Sequence, residues 1–317
     1  MHLPLNIADG EGVALSEHYH IGNTFPVYVL TDSTGSVITQ WTGYTGSKRF
    51  IAALNGALRD LTTIEERVAR CRARPVLRDV LVLAKYHADI NDYLAAIEYY
   101  RQAEDLARGG KLDYAYQIFT NTASAVWDDL LPFQKIHPAA ERVLSGRNKD
   151  NIVKAVQMFG SLARKKNRLE ELPRYLKAGL DATVSSQNEQ NRQARDIFTA
   201  DLTLYVSGDT AEALRQVKES QGPAWESDPK KLFVVGRWCF QRRVNLEQSE
   251  HYLRAAIGSA SPGRFKAMAL HTLAELRENR GFIEEAIRLV TMAREESPEN
   301  RYYVRELSRL QDKLERE

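Results

Sequence analysis

The stretch Leu270–Pro298, LHTLAELRENRGFIEEAIRLVTMAREESP, constrains the fold more than any other part of the chain. Leu270, Leu273, Ala274 and Arg277 stand at i, i+3, i+4 and i+7, one stripe of a first helix. Gly281 interrupts that pattern. Ile283, Ala286, Ile287, Val290 and Ala293 restart it on a second helix, which Pro298 ends. The small residues Ala274 and Ala286 sit where the two helices would cross, so the axes can approach closely. One such pair cannot bury its own apolar stripe, and the pattern therefore requires repetition.

The repetition is present. Aligned on the small residue of each second helix, Ala213, Ser249 and Ala286 are 36 and 37 residues apart, and Ala96 anchors an earlier unit. The units read Val80, Leu83, Ala84 with Tyr93, Ala96, Tyr100, Ala103; Ile197, Ala200, Leu204 with Gly208, Ala213, Val217; and Phe233, Gly236, Phe240 with Leu246, Ser249, Leu253, Ala256. A degenerate unit fits Ala155, Met158, Phe159, Leu162 with Leu169, Tyr175, Ala178. Another lies between Tyr116 and Ala139, interrupted by Pro132 and Pro138. The tail Tyr303, Leu307, Leu310, Leu314 reads as a capping helix. These units resemble tetratricopeptide repeats, whose period is about 34 residues. The resemblance covers about three quarters of the chain and implies a mainly α fold, a tetratricopeptide-like α-solenoid over residues 61–317.

The first sixty residues differ. Leu3–Asp9 is a strand candidate and Val13–Tyr19 a helix candidate. Pro26–Leu30 and Ser36–Trp41 are β runs joined by Thr31-Asp-Ser-Thr-Gly35, a hairpin turn. Ser47 caps a helix on which Phe50, Ile51, Leu54 and Leu58 share a face. This order resembles the C-terminal part of a thioredoxin-like domain. It is carried by the LNIAD strand, the helix ending HYHIG, Phe25-Pro26 before a strand, the DSTG turn and Gly43-Tyr44. By that resemblance Pro26 matches the family's cis-proline, although Val27 stands where the family often has threonine. The family's CxxC motif precedes the LNIAD strand, and this sequence begins after that point. We expect a truncated chain; direct re-pairing of the two flanking strands, or a second chain filling the gap, would also satisfy the sheet edges. The expected division is a partial thioredoxin-like domain over 1–60 followed by the helical array over 61–317. Between them, Thr62-x-x-Glu65 and Thr63-x-x-Glu66 offer capping boxes for a helix over Ile64–Arg74, and Pro75 suits the first turn of the next.

Composition narrows function. The 317 residues carry a net charge of +2, too balanced to argue for nucleic acid as a partner. No apolar run reaches the roughly 20 residues that span a bilayer, and the first residues lack a signal-peptide pattern. The chain as written reads as cytoplasmic, without a membrane. Cys71 and Cys239 stand far apart with no CxxC spacing or Cys/His cluster, which argues against a disulfide framework or a zinc site. His18 and His20, at i and i+2 on a helix, point to different faces and read as surface residues.

No phosphate loop, HExxH, GxSxG or kinase set occurs. The pairs Glu170-Glu171, Glu284-Glu285 and Glu295-Glu296 diverge by about 100° on a helix and read as solvated faces. The runs Arg67, Arg70, Arg72, Arg74, Arg78 and Arg164, Lys165, Lys166, Arg168 also read as solvated helix faces. Cys71 reads as packing, and Cys239 as core or groove lining. No catalytic residue, metal ligand or cofactor is therefore expected. The tetratricopeptide resemblance implies a groove on the first helices, here Lys85, Phe198, Leu202, Tyr205, Trp238, Arg242, His271, Glu275 and Asn279. That mixture suits a peptide or helix from a protein partner, with Trp238 and Arg242 as an anchor pair. The expected function is a non-catalytic interaction scaffold. The thioredoxin resemblance implies the alternative, a thiol–disulfide oxidoreductase or redox-linked chaperone whose cysteine-bearing segment precedes this sequence.

Overall fold

A computed structural model describes residues 10–21, 26–44, 46–107 and 113–316. The protein is mainly α, with sixteen helices and one two-stranded antiparallel sheet among the described residues. It divides into two compact units, Met1–Leu162 and Ala163–Glu317. The boundary expected near residue 60 falls inside the first unit.

The first unit opens with α1 (Glu11–His18), β1 (Val27–Thr31), β2 (Val37–Thr42) and α2 (Ser47–Leu58). The hairpin pairs Tyr28 with Trp41 and Val29 with Gln40, with a bulge after Leu30. Its turn is closed by Asp32, whose Oδ1 accepts from the N–H groups of Thr34 and Ser36 at 2.8 and 3.0 Å. The strand expected at Leu3–Asp9 lies outside the described residues. Ser47 is the first helical residue of α2 and not its cap. Gly46 holds that position with a positive φ of 101° and contributes no side-chain bond. Alternation along β2 sends Ile38 and Gln40 inward, toward α3 (Ile64–Ala73) and α4 (Leu77–Asp89). Thr63 and Glu66 form the capping box of α3, the second of the two expected. Pro75 precedes α4 by two positions, so it ends α3 and stands ahead of the first turn of α4.

The remaining helices of this unit are α5 (Tyr93–Leu106), α6 (Ala115–Trp127) and α7 (Ile136–Leu144). Helix α8 (Lys149–Lys165) contains the division between the units. Pro138, expected to interrupt a helix, sits in the first turn of α7. Its missing N–H has no intrahelical acceptor there, so the helix tolerates it.

The second unit continues with α9 (Leu172–Thr183), α10 (Glu189–Leu202), α11 (Thr210–Ser220), α12 (Pro229–Arg242), α13 (Leu246–Ser259), α14 (Arg264–Asn279), α15 (Ile283–Glu296) and α16 (Tyr302–Leu314). A five-residue π-helical turn, Thr203–Ser207, follows α10. Each helix from α10 onward packs on the next, and one apolar cluster runs from Ala200 to Leu310. At roughly 25 cal/mol per Å² of apolar surface removed from water, this spine is the main force holding the helices together. The small residues at the crossings are fully enclosed: Ala213, Ser249 and Ala286 are each 0% exposed. The α12–α13 crossing is close. A Cβ on Gly236 would meet Leu253 Cγ at 3.0 Å and the Ser249 carbonyl at 3.2 Å. Ser249 Oγ donates across the same crossing to the Gly236 carbonyl at 2.7 Å.

Polar groups stitch the outer edges. Glu250 on α13 accepts from Arg277 at 3.0 Å and from Arg280 at 2.9 Å, while Glu285 on α15 accepts from Arg254 at 2.7 Å and also from Arg277. The Arg277 guanidinium lies 4.1 Å from the Phe282 ring centroid. Gly281, at φ +82°, makes the turn that lets α15 fold back on α14. Of the paired carboxylates, Glu285 meets Arg254 at 2.7 Å, Glu296 takes Lys266 at 2.7 Å, and Glu170 lies 3.9 Å from Arg168.

Candidate functional site

In the second unit, α12 and α14 each carry an outward stripe. On α12 the exposed positions are Lys230, Val234, Arg237 and Gln241, at i, i+4, i+7 and i+11. On α14, Arg264, Met268 and Asn279 are exposed, and His271 and Glu275 lie half-buried on the same stripe. Tyr302 opens α16 at 40% exposure, beside His271, with ring centroids 5.1 Å apart. Val234 and Met268 are 37% and 39% exposed. These helices thus present half-exposed apolar side chains together with the exposed cations Lys230, Arg237 and Arg264.

A buried charge cluster lies at one end of this face. Asp201 is 2% exposed. Its carboxylate accepts from Arg242 Nε and Nη2, both at 2.7 Å, and from the Trp238 indole N–H at 2.8 Å. The two parallel Arg242 contacts are the fork geometry that a guanidinium and a carboxylate prefer. Arg242 also lies over the Trp238 ring, 5.3 Å from its centroid. Arg164 approaches Asp201 Oδ2 at 3.6 Å. Burial and the neighbouring Arg242 charge push the Arg164 guanidinium down from its ordinary value. Burial pushes the adjacent Tyr205 phenol up. Two cations share this one carboxylate, which offsets their mutual repulsion.

A second polar group forms between α14 and α16. Glu278 accepts from Arg309 Nη1 and Nη2 at 2.8 and 2.7 Å and from Lys313 at 3.1 Å. Arg309 holds the Glu278 carboxyl down at about 2. One turn earlier, burial pushes Glu275 up to about 7 and His271 down. Burial also lifts the Tyr302 phenol to about 12.

The expected groove residues fall into three groups. His271, Glu275 and Asn279 lie on the outward stripe of α14, and Leu202 is half-buried on α10. Phe198 and Trp238 are 3% and 2% exposed, and the polar atoms of Trp238 and Arg242 are turned onto Asp201. Tyr205 stands beside that cluster. Lys85 belongs to the first unit, exposed on α4 at the edge of a cleft. Pro26 is exposed, and its carbonyl accepts from the Gly43 N–H at 2.7 Å. Phe25 and the LNIAD strand lie outside the described residues. Asp201 escaped sequence reading, although a carboxylate flanked by Ala200 and Leu202 one repeat ahead of Trp238 was a usable signal. Arg67, read from sequence as solvated, is 3% exposed and pairs with Asp60 and Asp79.

Both cysteines are buried with free thiols. Burial pushes Cys239 up to about 11 and raises Cys71 as well. Among the described residues, no three His, Cys, Asp or Glu side chains converge as metal ligands, and no helix is long and apolar enough to cross a membrane. No family model matches the chain, and no curated protein matches its sequence.

Proposed function

We propose that this chain is a protein-interaction scaffold of tetratricopeptide-like helix pairs, binding a partner segment along the first helices of its second unit. The observation that carries the reading is the outward stripe of the helices: Val234 on α12, Met268 on α14 and Tyr302 on α16 are half-exposed, and Lys230, Arg237 and Arg264 are exposed on α12 and α14. Such a surface fits an amphipathic segment whose apolar side chains are flanked by carboxylates. The Asp201–Arg242–Trp238 cluster supports this reading by fixing α10 against α12, which keeps the face pre-organised and lowers the ordering cost of binding. The thioredoxin-like character of residues 1–60 and a cytoplasmic setting belong to the same proposal.

Photocrosslinking in the native host tests it. A photoreactive phenylalanine at Met268 should give a discrete adduct that Arg237→Glu abolishes. The same group at Met292, 45% exposed on the second helix α15, should give none. Equal adducts from both positions, or none from Met268, would reject the reading.

A further inference from the structure

The charge cluster of the second unit is one negative charge short. The side chains of Arg242 and Asp201 are 5% and 3% exposed, and that of Arg164 is 14% exposed. Two positive charges thus face one negative charge largely out of water. The carboxylate is engaged by α12: Arg242 takes both of its oxygens at 2.7 Å, and the Trp238 indole takes one of them at 2.8 Å. Arg164, in the last turn of α8, stands 3.6 Å from Asp201 Oδ2. That separation gives attraction but lies beyond hydrogen-bond reach. The Tyr205 phenol nearby adds no charge, because burial pushes it up from its ordinary value and holds it neutral.

A guanidinium cannot shed its charge to escape such a setting, as an amine or a carboxyl can. An enclosed charge without a counter-ion of its own costs the folded state free energy. Burial and the Arg242 charge act on Arg164 in that sense. An anion at the edge of Arg164 that stays open to solvent removes the cost. The cluster indicates its chemistry. One excess positive charge calls for one negative charge. The parallel N–H donors of a guanidinium match the two oxygens of a carboxylate. Leu202 and Tyr205, both half-buried, and Val206, 60% exposed, follow Asp201 in the chain. These apolar neighbours suit a carboxylate carried on a hydrocarbon stem.

We infer that the open edge of Arg164 is a binding site for a carboxylate supplied from outside the chain. Where that carboxylate is an Asp or Glu side chain of a partner segment, the inference rests on the proposed interaction face and adds an anchor to it. A free small carboxylate would engage the same edge.

Acetate is the probe. In urea titrations of the full chain, the unfolding midpoint should rise saturably as acetate replaces chloride at constant ionic strength. Arg164→Met should abolish that rise, and Arg164→Lys, which keeps the charge without the parallel donors, should keep only part of it. In chloride, the Arg164→Met midpoint should equal or exceed that of the wild type, because the variant keeps an aliphatic stem and deletes the uncompensated charge. Photocrosslinking separates the two sources. A photoreactive phenylalanine at Val206 that gives a discrete adduct, lost in Arg164→Met, assigns the carboxylate to a partner side chain; an acetate response without that adduct assigns a free carboxylate. Loss of the Met268 adduct alone would reject the interaction face and leave the acetate result standing. A wild-type midpoint indifferent to acetate, an acetate rise that persists in Arg164→Met, or a lowered Arg164→Met midpoint in chloride would each overturn the inference.

Discussion

The indole N–H of Trp238 donates to Asp201 at 2.8 Å from 37 residues away, one repeat along the chain. The same carboxylate also receives the fork of Arg242, so two consecutive helix pairs share one enclosed anion. Enclosed ion pairs add little net stability when intact, because desolvation offsets attraction, but they are costly to break from one side.

Removing that anion should therefore be severe. Asp201→Ala leaves Arg242 and Arg164 facing each other and should lower unfolding free energy by about 3–5 kcal/mol in urea titration. Trp238→Phe keeps an aromatic ring but loses the charge-assisted bond and part of the buried ring volume, for about 2–4 kcal/mol. In a double-mutant cycle, Asp201→Ala with Arg242→Met should cost less than the sum of the singles. Additive losses would show that the pair is uncoupled.

The α12–α13 crossing predicts an unusually sensitive glycine. Gly236→Ala places a methyl group 3.0 Å from Leu253 and 3.2 Å from helix backbone. Backbone cannot move aside as a side-chain tip can. The change should destabilise by about 1–3 kcal/mol although alanine is the better helix former. Gly258, with open space around its Cβ position on α13, is the control and should gain up to about 1 kcal/mol as alanine. A scanning thermal melt of both variants decides the point.

Stability should fall as pH rises through the range set by Asp89. Burial pushes this carboxyl up to about 6 against the pull of Lys85, and its Oδ2 is enclosed without a partner. Because the folded-state value lies above the unfolded one, the folded protein binds the extra proton between about pH 4 and 6. The associated stability is complete below pH 4 and is lost by about pH 6.5, a change on the order of 1–3 kcal/mol. Asp89→Asn should flatten that slope relative to wild type in urea titrations from pH 4 to 7. An unchanged slope would show that Asp89 titrates normally.

Neither thiol should react in the folded chain. Cys239 is 0% exposed and lifted to about 11, and Cys71 is 7% exposed and also raised. The thiolate is the reactive form, and burial suppresses it. Ellman's reagent at pH 7.5 should label neither cysteine before denaturation and both afterwards. Rapid labelling of the native protein would revive the redox alternative.

The helix pairs were legible because apolar spacing repeats along the sequence and small residues mark the crossings. Ala274 and Ala286 were read as one such crossing, and Ser249 was aligned with Ala286 in the unit before it. The Asp32 turn and the Thr63–Glu66 box were legible for a similar reason: each is closed by residues within four positions. Contacts across a repeat were not. Asp201 meets Arg242 over 41 residues, and no local pattern encodes that distance. Arg67 misled because a basic run on a helix usually faces water, whereas here Asp60 and Asp79 draw one member inside.

From α10 onward, each helix grips chiefly the one before and the one after it. A chain so built should yield to tension in instalments. Pulled from its C-terminus by an optical trap, α16 would peel away first, releasing the Glu278–Arg309 fork, then α15 with α14. The Asp201 cluster would act as a stop at which the force must climb before the trace lengthens again.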